Sequence, residues 1–275
     1  MKDMVKEPKA GRARPGRGGS PASEQIRPSV PARSRSLVPE QLALVVGAVL
    51  SAAGFVCAFT IAPLVLGAEV VPELVGDTMV QNQLLFSQKI FYFHMPVALV
   101  SFVAVACQAV FSIAYLKTRR PVWDLRARTA MEVGLVFIVC TMATGVAWTR
   151  FEWGVWWTWE PRLTTYLVLM LLAFAYFVLR RAFDGQERQG VLAAVFGILA
   201  FVDVPICFAV TRLIPNTTHP VIVRSDGGMT AEMAVALLLA LAGIALVAWA
   251  LYRLRLRQAS VAARIAALKE MLEQD

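Results

Sequence analysis

Only two histidines occur in this chain of 275 residues, His94 and His219, and five of its seven tryptophans, Trp148, Trp153, Trp156, Trp157 and Trp159, fall within twelve positions. A neutral imidazole is a common metal ligand, and two from separate segments have the chemistry to bind one iron from opposite sides. Taken alone, each histidine also reads as a polar residue at headgroup depth. The tryptophans favour the ligand reading, because they are too dense for a simple interfacial anchor. Trp153, Trp156 and Trp157 are spaced i, i+3, i+4 and would share one face if the segment were helical. Such a shelf suits a broad, flat, apolar ligand. A porphyrin has that shape and carries two carboxylates on one edge. Arg150 and Arg162 bracket the shelf, and a guanidinium fork can hold a carboxylate through two hydrogen bonds. Headgroup anchoring at helix ends is the plainer role for both arginines.

The elements that must carry these residues are membrane spans. The chain is 58% apolar and 17% charged, with a mean hydropathy of +0.61, and its apolar residues come in long blocks. These run Leu42 to Leu66, Ile90 to Leu116, Val133 to Thr149, Leu163 to Leu179, Val191 to Val210 and Met233 to Leu251. Each is long enough to cross a hydrocarbon core of about 30 Å as a helix. Alternating strand patterns are absent, and a bilayer admits only helices or closed barrels because unpaired backbone groups cannot be solvated there. The expected fold is therefore all-α, a polytopic membrane bundle of six transmembrane helices.

Lys and Arg give the expected orientation, since cytoplasmic segments near the spans retain them. The segment before Pro39, Lys117 to Arg128, Arg180 to Arg188 and Arg253 to Lys269 together hold 22, and the alternate segments hold five. Both termini should face the cytoplasm, with the tryptophan-rich segment 148–165 and both histidines outward. An aromatic belt would populate both interfaces, whereas the inner loops hold only Trp123, with Trp249 near the last span's inner end. The formal charge of +8 follows from this topology. It gives no reason to expect a nucleic-acid partner, which would need one coherent soluble basic patch.

Three regions are expected. Residues 1–39 are rich in Pro, Gly, Ser and Arg and lack an apolar run, so they read as a disordered basic cytoplasmic tail without a signal peptide, and insertion would use the first span. Arg12, Arg14, Arg17, Arg33 and Arg35 offer the alternative of attraction to anionic membrane lipid. Residues 40–252 form the membrane domain. Residues 253–275 read as a cytoplasmic amphipathic helix with Val261, Ile265, Leu268 and Leu272 on one stripe. Cys57, Cys107, Cys140 and Cys207 lie inside spans and read as small core residues. No Walker-type phosphate loop occurs. Asp203, two residues before Pro205, is the conspicuous ionisable group inside a span; it carries a functional hypothesis by default, with neutralisation by burial or pairing with a helix neighbour as the alternative. Glu132 is expected to pair with Arg126 or Arg128. Glu160 would pair with Arg162 or brace the loop, with Pro161 opening the fourth span.

The stretch Trp153-Gly-Val-Trp-Trp-Thr-Trp-Glu-Pro-Arg-Leu-Thr164 resembles the tryptophan-rich, WWD-type signature of the haem-handling superfamily of cytochrome c maturation, and within it the CcmC branch. Phe91-Tyr-Phe-His-Met-Pro96 is similar to that family's first histidine motif, Thr144-Gly145 with Trp148 to the approach to the signature, and Asn216-Thr-Thr-His219 to its second histidine motif. The likeness extends over most of residues 85–252. It implies His94 and His219 as axial ligands of a non-covalently bound haem b. Trp153, Trp156, Trp157 and Trp159 would form the platform, with Arg150, Arg162 and Glu160 beside it. It also implies a bacterial inner membrane location with the site facing the periplasm. The partners implied are the haem chaperone CcmE, the small membrane protein CcmD and the transporter subunits CcmA and CcmB. One departure is Glu160, where the family has an aspartate one methylene shorter. On this reading the chain binds and presents haem and is not an enzyme. The competing readings are a cytochrome c haem lyase of the same superfamily, which would use a second histidine pair, a quinol-oxidising cytochrome b, and a solute transporter with Asp203 and Pro205 at a broken helix.

Overall fold

The computed structural model describes residues 39–64, 74–75, 78–79, 86–185, 188–214 and 229–274. Six helices, α1 (Pro39–Thr60), α2 (Phe91–Thr118), α3 (Pro121–Trp153), α4 (Pro161–Ala182), α5 (Gln189–Leu213) and α6 (Ala231–Gln274), account for nearly all of it. All six are long and apolar enough to cross a membrane. The sole strands among the described residues are a two-residue hairpin between α1 and α2, with Leu74 opposite Met79 and Val75 opposite Thr78. The all-α, six-span expectation therefore holds.

The helix ends follow local chemistry. The first apolar block continues to Leu66, but α1 stops at Thr60 because Pro63 lacks an amide hydrogen and disfavours helical geometry in the residue before it. A 3-10 turn, Phe86–Ile90, leads directly into α2. Pro121 opens α3 and Pro161 opens α4, where a missing N–H costs nothing. α3 has 33 residues, about 50 Å at helical rise, so it extends beyond the hydrocarbon at its ends. α6 is longer still, with 44 residues, and runs unbroken through position 253. Its stripe of Val261, Ile265, Leu268 and Leu272 is exposed.

The helices pack as three linked pairs. α1 lies along α6, α2 along α3, and α4 along α5, with α2 also touching α5 and α6. Gly54 permits the close approach of α1 and α6, since a Cβ there would stand 2.6 Å from the Ala240 amide nitrogen. One core cluster joins α2 through α5 around Val105, Met131, Ile138, Tyr166, Leu169 and Tyr176. A second joins α1, α2 and α6 through Ala58, Phe91, Tyr92 and Met233. Exposed Val49, Val56, Phe59, Leu171, Val178 and Leu238 cover the outside of the bundle, as lipid-facing positions require.

Cys207 is buried, Cys57 and Cys140 are partly buried, and Cys107 is exposed on the outside of α2 rather than in the core. Cys207 donates to Asp203 over 3.4 Å, giving the buried carboxyl a partner one turn along its own helix. Glu132 receives Arg128 at 3.0 Å, as expected, and also Arg255 of α6 at 2.6 Å.

Candidate functional site

His94 sits in the first turns of α2, and its partner comes from the last third of α3. The imidazole Nδ1 and the Thr144 hydroxyl are 2.8 Å apart. The next residue, Gly145, lies against the same ring, since a Cβ on it would be 3.3 Å from His94 Cε1. Among the described residues the ring makes no other hydrogen bond. His219 lies outside the described residues, as does the segment 1–38. Met229, the first described residue after the stretch that contains His219, packs on the cluster of Ala58, Phe91 and Tyr92, the last two being three residues or fewer from His94 in sequence.

The tryptophan segment is not one helical face. α3 ends at Trp153, and Gly154, with φ of 72°, turns the chain into the left-handed region as a helix C-terminal glycine does. Residues 154–160 then form a non-helical connection to α4. The condition for Trp153, Trp156 and Trp157 to share one helical face is thus not met, and two edge-to-face pairs form instead. Trp148 and Trp153 meet on α3 with centroids 5.1 Å apart, and Trp157 and Trp159 meet in the connection at 5.7 Å. Trp157 packs against the main core, which anchors the loop. Trp156 and Trp159 are 65% and 76% exposed, and Phe151 is 79% exposed. Large aromatics left open in one place mark a binding surface more readily than scattered ones do.

The flanking charges are fixed by the same connection. Arg150 donates to the Gly154 carbonyl, and its guanidinium stands 5.8 Å from the Trp156 ring centroid, within cation–π range. Arg162 lies in the first turn of α4, its amide held by the Glu160 carboxylate. Glu160 is buried as the N-cap of α4. Its Oε2 accepts from the Arg162 amide at 2.9 Å and the Leu163 amide at 3.0 Å, which satisfies two of the free donors at the helix start. The glutamate therefore reaches the capping position that a shorter aspartate fills readily.

Three contributors had weak signals in the sequence or none. Thr144 and Gly145 were visible only as part of a motif, because their contact with His94 spans fifty residues. Lys89 counts as an outward charge in the topology, but its ammonium is buried. It donates to the carbonyls of Ala58 and Ala62, each at 2.7 Å, and so closes the free end of α1 onto the start of α2. A cation at a helix C-terminus is favoured by the aligned peptide dipoles. The donor set suits haem: an imidazole with one nitrogen already engaged, two open indoles, and an arginine against one of them.

The family model described as CcmC, Heme exporter protein C, matches residues 32–271 of this chain. The chain is 33% identical over 146 residues to Heme exporter protein C of Bradyrhizobium diazoefficiens, covering 52% of this chain and 55% of that relative. It is 33% identical over 120 residues to Heme exporter protein C of Escherichia coli strain K12, covering 44% and 49%. For the protein of that name from Paracoccus denitrificans it is 34% identical over 119 residues, covering 42% and 49%. The matched stretch spans about half the length of these curated relatives.

Proposed function

This chain belongs to the CcmC family of heme exporter proteins, and from that premise we propose that it binds haem at the tryptophan-rich end of its bundle and presents it to a periplasmic chaperone during c-type cytochrome maturation. The observation that carries this reading is the seating of His94 against Thr144, on the bundle end where the five clustered tryptophans gather. Haem, when bound, supplies an iron with two axial positions, a conjugated plate and two propionates. His94 and His219 would hold the iron, each through one imidazole nitrogen. Arg150 and Arg162 would take the propionates, and Trp153, Trp156, Trp157 and Trp159 would cover the plate. Glu160 sets the start of α4 and thereby the position of Arg162.

The cargo is haem b, held without a covalent bond, so capture and surrender are both reversible. Open Trp156 and Trp159 leave one side of the site accessible to a recipient. The chaperone CcmE is that recipient on this reading. CcmD and the transporter subunits CcmA and CcmB are the membrane partners. The distribution of Lys and Arg supports both termini in the cytoplasm and the haem site on the opposite side, which in a bacterial inner membrane is the periplasm. The activity is binding and delivery rather than turnover. A lyase of the superfamily would call on a second histidine pair, and this chain has two histidines in all. The transporter alternative relies on a broken helix at Asp203 and Pro205, whereas α5 runs continuously from Gln189 to Leu213.

The test is to purify the full chain, add haem, record the visible spectrum and mix the loaded protein with purified CcmE. A low-spin bis-histidine spectrum followed by movement of haem to CcmE is expected. A chain that stays colourless both as purified and after haem addition would overturn the reading.

A further inference from the structure

We propose that Thr144 is a positioning residue that holds His94 in the tautomer with hydrogen on Nδ1, so that Nε2 is the atom offered to iron, and that Gly145 provides the room for the ring. This inference rests on the proposal that His94 ligates haem.

The geometry of one hydroxyl carries it. Thr144 Oγ1 has a single hydrogen and two lone pairs. It lies 2.9 Å from the Cys140 carbonyl and 3.0 Å from the Thr141 carbonyl, both of which can only accept. The hydroxyl hydrogen is therefore directed back along α3. In this arrangement a lone pair faces His94 at 2.8 Å, and we infer that Nδ1 donates to it. A neutral imidazole carries one hydrogen, so Nε2 keeps its lone pair. An outer partner of this kind fixes both ring rotation and tautomer in metal-binding histidines.

Gly145 adds an independent constraint from the same turn of α3. A Cβ there would come within 3.3 Å of His94 Cε1, so an alanine would require the ring to give way by a few tenths of an ångström. The threonine sets which nitrogen is free, and the glycine sets how closely the ring lies against α3. Both are carried by a helix that ends in the tryptophan segment, which ties the orientation of His94 to the aromatic surface.

Because the chain has two histidines, nitrogen NMR of protein labelled with 15N-histidine can read the tautomer directly. The full chain carrying His219→Ala leaves His94 as the sole imidazole signal. In haem-free protein at mildly alkaline pH, the expected result is a protonated Nδ1 and an unprotonated Nε2. Thr144→Val should move the population toward the opposite tautomer, and Thr144→Ser should restore it. Either a hydrogen on Nε2 in the parent or an unchanged tautomer in Thr144→Val would overturn the assignment. With His219 present, Thr144→Val should weaken haem affinity by about tenfold to a hundredfold, with Thr144→Ser close to the parent. Gly145→Ala should also weaken affinity while keeping the Nδ1–H tautomer, and unchanged affinity there would remove Gly145 from the proposal. The NMR result needs no haem, so failure of the tautomer assignment is separable from failure of the ligand assignment.

Discussion

The two ends of this bundle handle charge and aromatic surface in opposite ways. Where α3 begins and α4 stops, Arg180 makes a bidentate pair with Asp124, both bonds 2.7 Å. Beside it, Glu132 takes Arg128 and Arg255, and Glu40 takes Arg253 at 3.3 Å and Arg257 at 3.0 Å. The aromatic rings there are tied to these cations or to each other, as Arg126 over Trp123 and Phe111 on Trp123. Where α3 stops and α4 begins, Arg150 meets a carbonyl and an indole face, and Trp156 and Trp159 stand open. At the first end, ion pairs between helices tie the bundle together. The other end leaves two indoles open, which is what a surface for an external plate-like ligand requires.

That contrast can be broken from either side. The largest stability effect belongs to the locked end: Arg180→Ala leaves the Asp124 carboxylate without its fork and should cost about 3 kcal/mol. Thermal unfolding in detergent would read it, and the haem spectrum of the remaining folded protein should be unchanged. Next comes Lys89→Met, which strips the carbonyls of Ala58 and Ala62 of a charged donor and should cost about 2 kcal/mol. Glu160→Ala should cost about 1 kcal/mol through loss of the α4 cap. Glu160→Asp should retain most of that stability, because either carboxylate can accept from the first-turn amides. Arg255→Ala, which removes one of two exposed partners of Glu132, should cost about 0.5 kcal/mol or less. Smallest in stability is Trp156→Ala, an open side chain whose loss should leave unfolding nearly unmoved while haem retention and transfer fall. A large stability loss from Trp156→Ala would mean that the indole is structural, and the contrast between the ends would fail.

The six spans were legible because apolar length is nearly all that a bilayer demands of a helix. Pro161 as the opening of α4 was equally plain, since proline at a first helical position has a distinct local reason. The shape of the tryptophan segment was harder to read. Its spacing would align three indoles only if the segment were helical, and the left-handed conformation of Gly154 ends α3 at Trp153. The role of Glu160 was half visible: bracing of the loop was anticipated, and the atom that does it, Oε2 on two amides, follows from helix-end chemistry. The pairing of Arg255 with Glu132 and of Thr144 with His94 depends on which helices are neighbours, a matter of packing that spacing along one chain does not encode. Lys89 illustrates the same limit. Its charge helped orient the chain, yet its burial beneath the end of α1 became evident only from the fold.

The most direct test of the account is the visible spectrum of the purified, haem-loaded full chain beside its His94→Ala and His219→Ala variants. The account predicts a low-spin bis-histidine spectrum in the parent, weakened or lost in each variant, with helical content by circular dichroism unchanged. The same bis-histidine spectrum in both variants would contradict it.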